Sequence, residues 1–588
     1  MGPGRLPFGQ FVLVAIACFA VGQAGAVEPE LKTIQPLGCP RGAATEVTLF
    51  GDGFEQGGQL YFSRTGITSE HIEKNRYRVT VSGTSTLGDC DLWVATPGGL
   101  AGPRRFVVSR IPVSLEQSGN DSMDAAQSIS VPGIVDARFD AADLDWFSFS
   151  GQAGQLVTIS CRSKSLDGTA QPVITLFGPS GRERAHSPAY RAEPELHYRL
   201  PDSGSYRLLI RDRAYRNDDF SGYRLSIATG PRVVQVLPHV VDARDTSSLN
   251  DTRRVTLLGL ELPGGKAYRE NRLLLAWTVD ACELERSPRQ NTCFLSPAAY
   301  MLEGSRFRHP SLSGDVLLGL SSEPVVSEIE DDLSGPQRIA LPCRIAGQFQ
   351  MPGDVDWFRF SAKKDDVLQF EAFGERLDQW MDLEIAIRQT GGKQLTVLRD
   401  LATPKGIPAK LPLASLDAAG SWKVPADGLY DLVIRDLYGG SVFGPDRIYQ
   451  LVIRGSAPAF HVVAMTASEQ LSRGTTVARN GSAELQLIAI RSGGFAGPIH
   501  VRAEQPAQGV SIETCTISPK EVTKAIKISA TPNCPVGIRS LRLVAEAEIG
   551  SDKQVVPVRS AALVRTGVTR NTDGTVIQVL GQGLGRDQ

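Results

Sequence analysis

The chain has 588 residues and a net charge of -2, with 62 lysines and arginines against 64 aspartates and glutamates. One hydrophobic core stops growing at roughly 250–300 residues, so this length predicts several domains of about 100 residues each. No run of like charges stands out, which excludes a nucleic-acid partner or an acidic membrane held by bulk electrostatics. Plentiful glycine (59) and proline (36), together with short alternating apolar runs, predict an all-β chain.

The first 26 residues have the pattern of an export signal. Arg5 precedes the apolar run at 11–22, and the small residues "AGA" at 24–26 predict cleavage after Ala26. A membrane anchor is disfavoured, because so short an apolar run cannot span the roughly 30 Å bilayer core as a helix. A lipoprotein signal at "AIAC" (15–18) stays open as an alternative. We expect a mature chain without a transmembrane segment that is secreted, periplasmic or at the cell surface.

The cysteines of the mature chain suggest disulfides, because an exported chain meets an oxidising environment. Sequence grouping favours three pairs, Cys39–Cys90, Cys282–Cys293 and Cys515–Cys534. Cys161 and Cys343 are left over as buried thiols. No CxxC spacing occurs, so a structural zinc site is not expected.

A short phrase occurs twice in the chain, "DLDWFSFS" at 143–150 and "DVDWFRFS" at 354–361. The phrase "GSYRLLIRD" at 204–212 likewise returns as "GLYDLVIRD" at 428–436, in the same order. Side chains alternate along a strand, so the two phenylalanines of each phrase share one face and the tryptophan points to the other. The repeat therefore predicts the first core strand of a β-sandwich module that is used twice.

Smaller repeated segments precede these modules, and "IQPLGCPRGAATEVTLFGDGF" at 34–54 is echoed at 234–265. The alternating strands of 456–566 predict an immunoglobulin-like sandwich. The last residues, 567–588, hold one possible strand in a glycine-rich tail that is too short for a domain. The predicted fold is thus an elongated tandem of immunoglobulin-like and jelly-roll-like β-sandwiches.

These segments resemble two known families. The stretches 113–229 and 326–455 resemble the bacterial pre-peptidase C-terminal domain, a jelly-roll-like β-sandwich of secreted proteins. The stretches 31–112 and 230–325 are similar to IPT/TIG domains, immunoglobulin-like folds of extracellular proteins. The resemblance implies a non-catalytic accessory module that binds a substrate or a surface.

In the collagen-binding branch of the pre-peptidase family an acidic segment takes part in binding calcium, which needs six to eight oxygens. Carried over to this sequence, the resemblance implies oxygens from Glu116, Asn120, Asp121 and Asp143 in the first copy, and from Glu328, Glu330, Asp331 and Asp354 in the second. The alternative is a solvated acidic linker in which Asp143 and Asp354 close a turn before the strand.

The family name raises the question of a catalytic site in this chain. No GxSxG, HExxH or GxxxxGK[ST] pattern occurs. The pairs Asp143/Asp145 and Asp354/Asp356 could in principle form a glycosidase site, but turn and capping roles are commoner at the start of a core strand. Trp146 and Trp357 could stack on a ligand, or could instead cover a neighbouring domain or loop.

The sequence therefore predicts a non-catalytic binding or adhesion protein outside the cell, with a polysaccharide or protein ligand. The alternative is an accessory, substrate-targeting part of a secreted peptidase or glycoside hydrolase system whose catalytic partner is another chain.

Overall fold

The structure is a computed structural model that describes residues 27–188, 193–215, 218–243, 254–268, 271–280, 284–286, 294–329, 335–440, 444, 447–468, 473–505 and 507–581. Their regular structure consists of β-strands and the short 3-10 helices Met123–Ala125, Lys164–Leu166, Pro297–Ala299 and Glu375–Leu377. The prediction of an all-β chain built of tandem β-sandwiches is confirmed. None of the described helices is long and apolar enough to cross a membrane.

Two sandwiches share one sheet topology. The first (30–109) pairs sheet β1-β3-β6-β5 with sheet β2-β8-β7-β4, and the third (232–321) pairs β19-β21-β23-β22 with β20-β26-β25-β24. The strands of the first are β1 Glu30–Gln35, β2 Gly38–Pro40, β3 Ala44–Asp52, β4 Gln59–Phe62, β5 Ile67–Glu73, β6 Arg76–Val81, β7 Gly88–Thr96 and β8 Gly99–Ser109. Those of the third are β19 Arg232–Leu237, β20 Val240–Asp242, β21 Arg254–Leu260, β22 Lys266–Tyr268, β23 Asn271–Asp280, β24 Glu285–Arg286, β25 Glu303–Arg308 and β26 Val316–Ser321.

The second (113–229) and fourth (325–455) sandwiches share a larger topology. Sheet β10-β12-β17-β14-β15 corresponds to β28-β30-β36-β32-β33, and sheet β9-β11-β18-β13-β16 to β27-β29-β37-β31-β35-β34. The strands of the second are β9 Val113–Leu115, β10 Gln127–Ser128, β11 Gly133–Arg138, β12 Asp145–Gly151, β13 Leu156–Arg162, β14 Pro172–Phe177, β15 Glu183–His186, β16 Glu195–Arg199, β17 Gly204–Asp212 and β18 Gly222–Thr229. Those of the fourth are β27 Val325–Ser327, β28 Gln337–Arg338, β29 Cys343–Gln348, β30 Val355–Ala362, β31 Val367–Phe373, β32 Leu383–Gln389, β33 Gln394–Leu398, β34 Asp400–Leu401, β35 Ser415–Lys423, β36 Gly428–Asp436 and β37 Ile448–Gly455.

The fifth sandwich (459–580) has three sheets, in the orders β42-β44-β40-β38-β48-β49, β39-β50-β45 and β43-β41-β46-β47. Its strands are β38 Ala459–Thr466, β39 Thr475–Ala478, β40 Ser482–Ser492, β41 Ile499–Ala503, β42 Val510–Ile512, β43 Cys515–Ile517, β44 Thr523–Ala530, β45 Gly537–Leu541, β46 Leu543–Ile549, β47 Asp552–Pro557, β48 Arg559–Arg565, β49 Val568–Thr572 and β50 Thr575–Leu580.

The prediction of a tail from residue 567 is wrong for residues 567–581. Strand β49 pairs with β48, and β50 lies between β39 and β45. These strands are too short to indicate a domain from sequence alone. They are ordered because their backbone groups pair with strands that are distant in the chain.

The repeated phrase forms strands β12 and β30 and builds the core of each copy. Phe147 and Phe149 are buried against strand β17, and Phe358 and Phe360 are buried in the same way against β36. Each such side chain removed from water contributes about 1.5–3 kcal/mol before entropy is counted. The alternation that predicted an inward phenylalanine face is therefore the alternation of the structure.

A glycine follows the "VTL" strand in both smaller sandwiches because another strand passes too close for a side chain. A Cβ on Gly51, which has a φ of 137°, would lie 1.9 Å from the carbonyl oxygen of Glu30. A Cβ on Gly259 would lie 2.1 Å from the carbonyl oxygen of Arg232. Only glycine permits this approach at a bulged strand pair.

The last sandwich contacts the first, which the sequence did not predict. Gln578 Nε2 donates to the carbonyl oxygen of Thr96 at 2.8 Å, and Ala101 forms an isolated bridge with Arg473. Trp93 and Val576 belong to one apolar cluster at this contact. The tandem order along the chain thus brings residues separated by more than 370 positions into contact.

The predicted disulfides Cys39–Cys90 and Cys515–Cys534 do not form, and all four cysteines carry free thiols. Cys39 lies on β2 and Cys90 on β7, and strand β8 separates them. Two strand spacings are about 9–10 Å, beyond the Cα separation that a disulfide bridges. Cys161 and Cys343 are buried free thiols, whereas Cys282 and Cys293 lie outside the described residues.

Candidate functional site

Three carboxyl groups meet where strand β12 of the second sandwich begins. Glu116 directly follows β9, Asp143 precedes β12, and Asp145 is its first residue. One oxygen of each group lies within 4.8 Å of the oxygens of the others. The structure therefore brings together the predicted ligands Glu116 and Asp143 and adds Asp145 to them.

Asp145 is the buried member of this acidic cluster. Its Oδ2 accepts a hydrogen bond from the Tyr223 hydroxyl at 2.6 Å, while its Oδ1 is buried without a hydrogen-bond donor. Burial, and then the adjoining Glu116 carboxyl group, raise the pKa of Asp145 to about 10. Burial also raises the pKa of Glu116. Two such carboxyl groups are stable together only if they share a proton or a cation.

Asp143 performs the turn role that the sequence left open. Its Oδ2 accepts from the backbone N–H of Asp140 at 2.9 Å, and its Oδ1 accepts from the N–H of Leu144 at 2.9 Å. A carboxylate oxygen has a further lone pair, so these bonds do not prevent Asp143 from binding a cation. The turn and the acidic cluster are therefore compatible.

The other two predicted ligands of the first copy lie differently. Asn120 is buried, and its amide nitrogen donates to the carbonyl oxygen of Trp146 at 3.4 Å. The backbone carbonyl oxygen of Asn120 accepts from the backbone N–H of Trp146 at 2.8 Å, which holds the acidic segment against β12. Asp121 is exposed and is not part of the acidic cluster.

Asp145 could have been found from the sequence. It shares the face of Phe147 and Phe149, so period-2 alternation places its carboxyl group toward the core. A buried carboxyl group needs a partner, and this requirement marks it as a candidate ligand.

The second copy repeats this arrangement. Asp356 is buried and accepts from the Tyr449 hydroxyl at 2.5 Å. Asp354 Oδ2 accepts from the N–H of Gln350 at 2.7 Å, and Glu328 Oε2 accepts from the N–H of Gln348 at 2.9 Å. These bonds correspond to those of Asp145, Asp143 and Glu116, but among the described residues only the three carboxylates of the first copy lie within 4.8 Å of one another. Glu330 and Asp331, the other predicted ligands, lie outside the described residues.

A cavity of about 500 Å³ opens beside the second acidic site. Its walls include Glu328, Asp354 and Trp357 together with two exposed apolar side chains, Ile329 and Met351. A cavity of this volume is in the range of ligand pockets. The fourth sandwich therefore presents carboxylates, an indole ring and apolar surface at one place.

The two predicted ligand-binding tryptophans have different surroundings. The ring of Trp146 is half-buried and contacts Phe177 at a centroid distance of 5.2 Å. Trp357 is 39% exposed, and the Arg388 guanidinium lies 5.2 Å from its ring centroid. Phe177 on β14 and Arg388 on β32 occupy equivalent positions. Each lies on the next strand but one from the tryptophan, two residues beyond the position directly across the sheet from it. The exposed aromatic surface is thus not matched between the copies.

Trp357 belongs to an outward-facing apolar row. The row crosses four strands of one sheet through Trp357, Val433, Ala386 and Val397. Ion pairs border the row on both sides, Arg359 with Asp431 at 2.6 Å and Arg435 with Glu384 at 2.6 Å. We call this surface the outer face of the fourth sandwich.

A scan against models of protein families finds no match, and a search of curated proteins finds none either. Among solved structures, the chain is similar to the pre-peptidase C-terminal domain of a collagenase from Bacillus anthracis. This match has 19% sequence identity and a TM-score of 0.15, and it covers 17% of this chain and 93% of that one.

Proposed function

We propose that the chain is an exported, non-catalytic protein that binds a polysaccharide or protein ligand outside the cell through the outer face of its fourth sandwich. The observation that carries this proposal is the exposed Trp357 ring beside an acidic cavity. The sequence resemblance of 326–455 to pre-peptidase C-terminal domains supports the same role.

The chemistry of the outer face suits such a ligand. An exposed indole offers apolar area and a hydrogen-bond donor at low entropic cost, and tryptophan and arginine dominate the binding energy of interfaces. Arg388, over the ring, adds a planar donor set that can bind hydroxyl or carboxylate oxygens. The bordering ion pairs already satisfy their own charges. Val433 and Ala386 between them are buried, so Trp357 is the exposed member of the row that a ligand can contact.

Calcium at the acidic sites belongs to the proposal. Glu116, Asp143 and Asp145 would hold it in the first copy, and Glu328, Asp354 and Asp356 in the second. The residues fit the ion because the buried Oδ1 of Asp145 has no hydrogen-bond donor, and oxygen ligands from carboxylates are those that calcium prefers. Bound calcium would fix the acidic segment against the first core strand and neutralise the adjoining carboxylates.

The test is retention of the mature chain, residues 27–588, on immobilised polysaccharides, collagen and bacterial envelope, with calcium and again with chelator. Trp357→Ala should abolish retention on the matrix that binds the parent chain. Trp380→Ala is the matched control, because Trp380 is a tryptophan of the same sandwich with a similar exposure of 43%. Equal retention of both variants, or no retention of the parent chain, would contradict the proposal.

Export is tested separately. The amino terminus of protein recovered outside the cytoplasm should begin at Val27.

If the chain is instead an accessory part of a hydrolase system, Trp357→Ala should lower the activity of the partner enzyme on polymeric substrate while leaving its activity on soluble substrate unaffected.

A further inference from the structure

A second cavity, of about 180 Å³, lies between the third and fourth sandwiches. Its walls combine His239, Gln235 and Arg306 from the third sandwich with Asp378 and Gln450 from the fourth. It has no residue in common with the cavity beside Trp357. At about 30 Å³ per water in the liquid, its volume equals that of roughly six waters, or one sugar ring.

His239 is the unusual group of this cavity. It is 2% exposed, and its Nε2 donates to the carbonyl oxygen of Tyr449 at 2.9 Å. This bond fixes the proton on Nε2, which leaves Nδ1 as a buried acceptor without a donor. Burial lowers the pKa of His239 to about 4, so the ring is neutral at physiological pH. A buried acceptor without a partner costs about 1–3 kcal/mol, which a ligand that donates to it would recover.

Two glutamine amides are oriented as donors. Gln235 Oε1 accepts from the N–H of Val236 at 2.8 Å, and Gln450 Oε1 accepts from Arg344 Nη1 at 2.8 Å. Each amide nitrogen is therefore left to donate. The absence of a side chain at Gly319 leaves room for the Gln450 amide, since a Cβ there would lie 2.8 Å from Gln450 Nε2.

The remaining walls of the cavity consist of charged side chains of both signs and of an apolar surface. Arg306 and Asp378 carry opposite charges, and Asp315, also in the wall, is paired with Arg308 at 2.8 Å, so neither sign of charge dominates the cavity. Leu377 and Phe294 form an apolar wall from one shared cluster. A ligand here needs hydroxyl groups that both donate and accept, no net charge, and an apolar face, and a pyranose ring has all of these.

We propose that this cavity is a binding site for one neutral sugar residue, independent of the outer face of the fourth sandwich. The sugar would donate a hydroxyl to His239 Nδ1, accept from the amides of Gln235 and Gln450, and place its C–H face against Leu377. The site would also join the third and fourth sandwiches, since both contribute to it.

The experiment is calorimetric titration of the whole mature chain with D-glucose, D-galactose and D-mannose, with glycine as a zwitterionic comparison. At least one sugar should bind with one site, and in histidine-labelled protein the Nδ1 resonance of His239 should shift on binding. Gln235→Glu keeps the acceptor for Val236 N–H but loses the donor, so it should weaken binding at least tenfold. Gln152→Glu, the same change at an exposed glutamine of the second sandwich, is the control and should bind the sugar as the parent chain does.

His239→Phe should also abolish binding, but it removes the bond to Tyr449 and can disturb the interface, so Gln235→Glu decides. No heat with any sugar, binding of glycine instead, or equal affinity of Gln235→Glu and the parent chain would each overturn the proposal. Loss of sugar binding in Trp357→Ala alone would assign the sugar to the outer face and overturn it as well. Retention on polymeric matrices is a separate measurement, so the two proposals fail independently.

Discussion

Arg570 joins three sandwiches, and its replacement by methionine should weaken the contact between the last sandwich and the first. The guanidinium donates through Nη2 to Asp167 at 2.9 Å in the second sandwich and lies 2.8 Å from Asp91 in the first. All three side chains are buried. Methionine keeps the apolar stem of arginine but removes every charged hydrogen bond.

The magnitude follows from what each carboxylate retains. Asp91 keeps Arg105 Nη1 at 3.2 Å and the N–H of Asp573 at 2.7 Å. Asp167 keeps only backbone hydrogen bonding from the N–H of Arg105 at 3.0 Å and becomes a buried charge without a bonded cation. Breaking a buried pair costs about 3–5 kcal/mol, and we expect the lower end, about 3 kcal/mol, because Asp91 remains paired.

The assay is amide hydrogen exchange of the peptides that cover 93–101 and 568–580. If these amides exchange when the sandwiches separate, a loss of about 3 kcal/mol accelerates their exchange by roughly two orders of magnitude. Arg502→Met is the control, because Arg502 forms a half-exposed pair with Glu546 inside the last sandwich. It should change these peptides little, since such pairs contribute about 0–1 kcal/mol. Equal exchange in the two variants would refute the reasoning.

Three further predictions follow from the buried groups. Burial and the adjoining Glu116 raise the pKa of Asp145 to about 10, so this group must lose a proton when calcium binds to the first acidic site. Calcium affinity should therefore rise by up to about tenfold per pH unit near neutrality, and calorimetry should find no such dependence in Asp145→Asn. Burial lowers the pKa of His239 from 6.5 to about 4. The free energy of unfolding should therefore be at its full value above pH 6.5 and fall by about 3 kcal/mol toward pH 4, and that of His239→Gln should depend less on pH. Cys39 and Cys90 should both be alkylated in unfolded, unreduced protein, and an unmodified pair in the peptide map would contradict the structure.

How far the sequence predicted the structure depends on how local each signal was. The phenylalanine face of 143–150 was predictable, because the alternation that buries Phe147 lies within one strand. The wrong disulfide between Cys39 and Cys90 came from proximity in sequence, whereas strand β8, which separates them, is defined only by pairing. The tail from 567 was wrong for the same reason, since β50 is stabilised by β39 about a hundred residues earlier.

The candidate site divides in the same way. The family resemblance indicated Asp143 and Glu116, and Asp145 could be predicted from its position on the inward face. The group that contacts each tryptophan could not, because Phe177 and Arg388 reach the indole from a strand that is not its neighbour in sequence. The exposure of Trp357 is thus a property of the sheet as a whole.

Comparison of the two copies separates what the fold needs from what function uses. Both copies contain the same turn, a 3-10 helix followed by an aspartate in the left-handed region, Asp167 with φ 67° and Asp378 with φ 62°. In the first copy this aspartate binds Arg570 and holds the last sandwich. In the second it lines the cavity beside Arg306. The turn itself therefore belongs to the fold. We expect function where the neighbours of the turn differ between the copies. The second sandwich would then take part in assembly and the fourth sandwich in recognition.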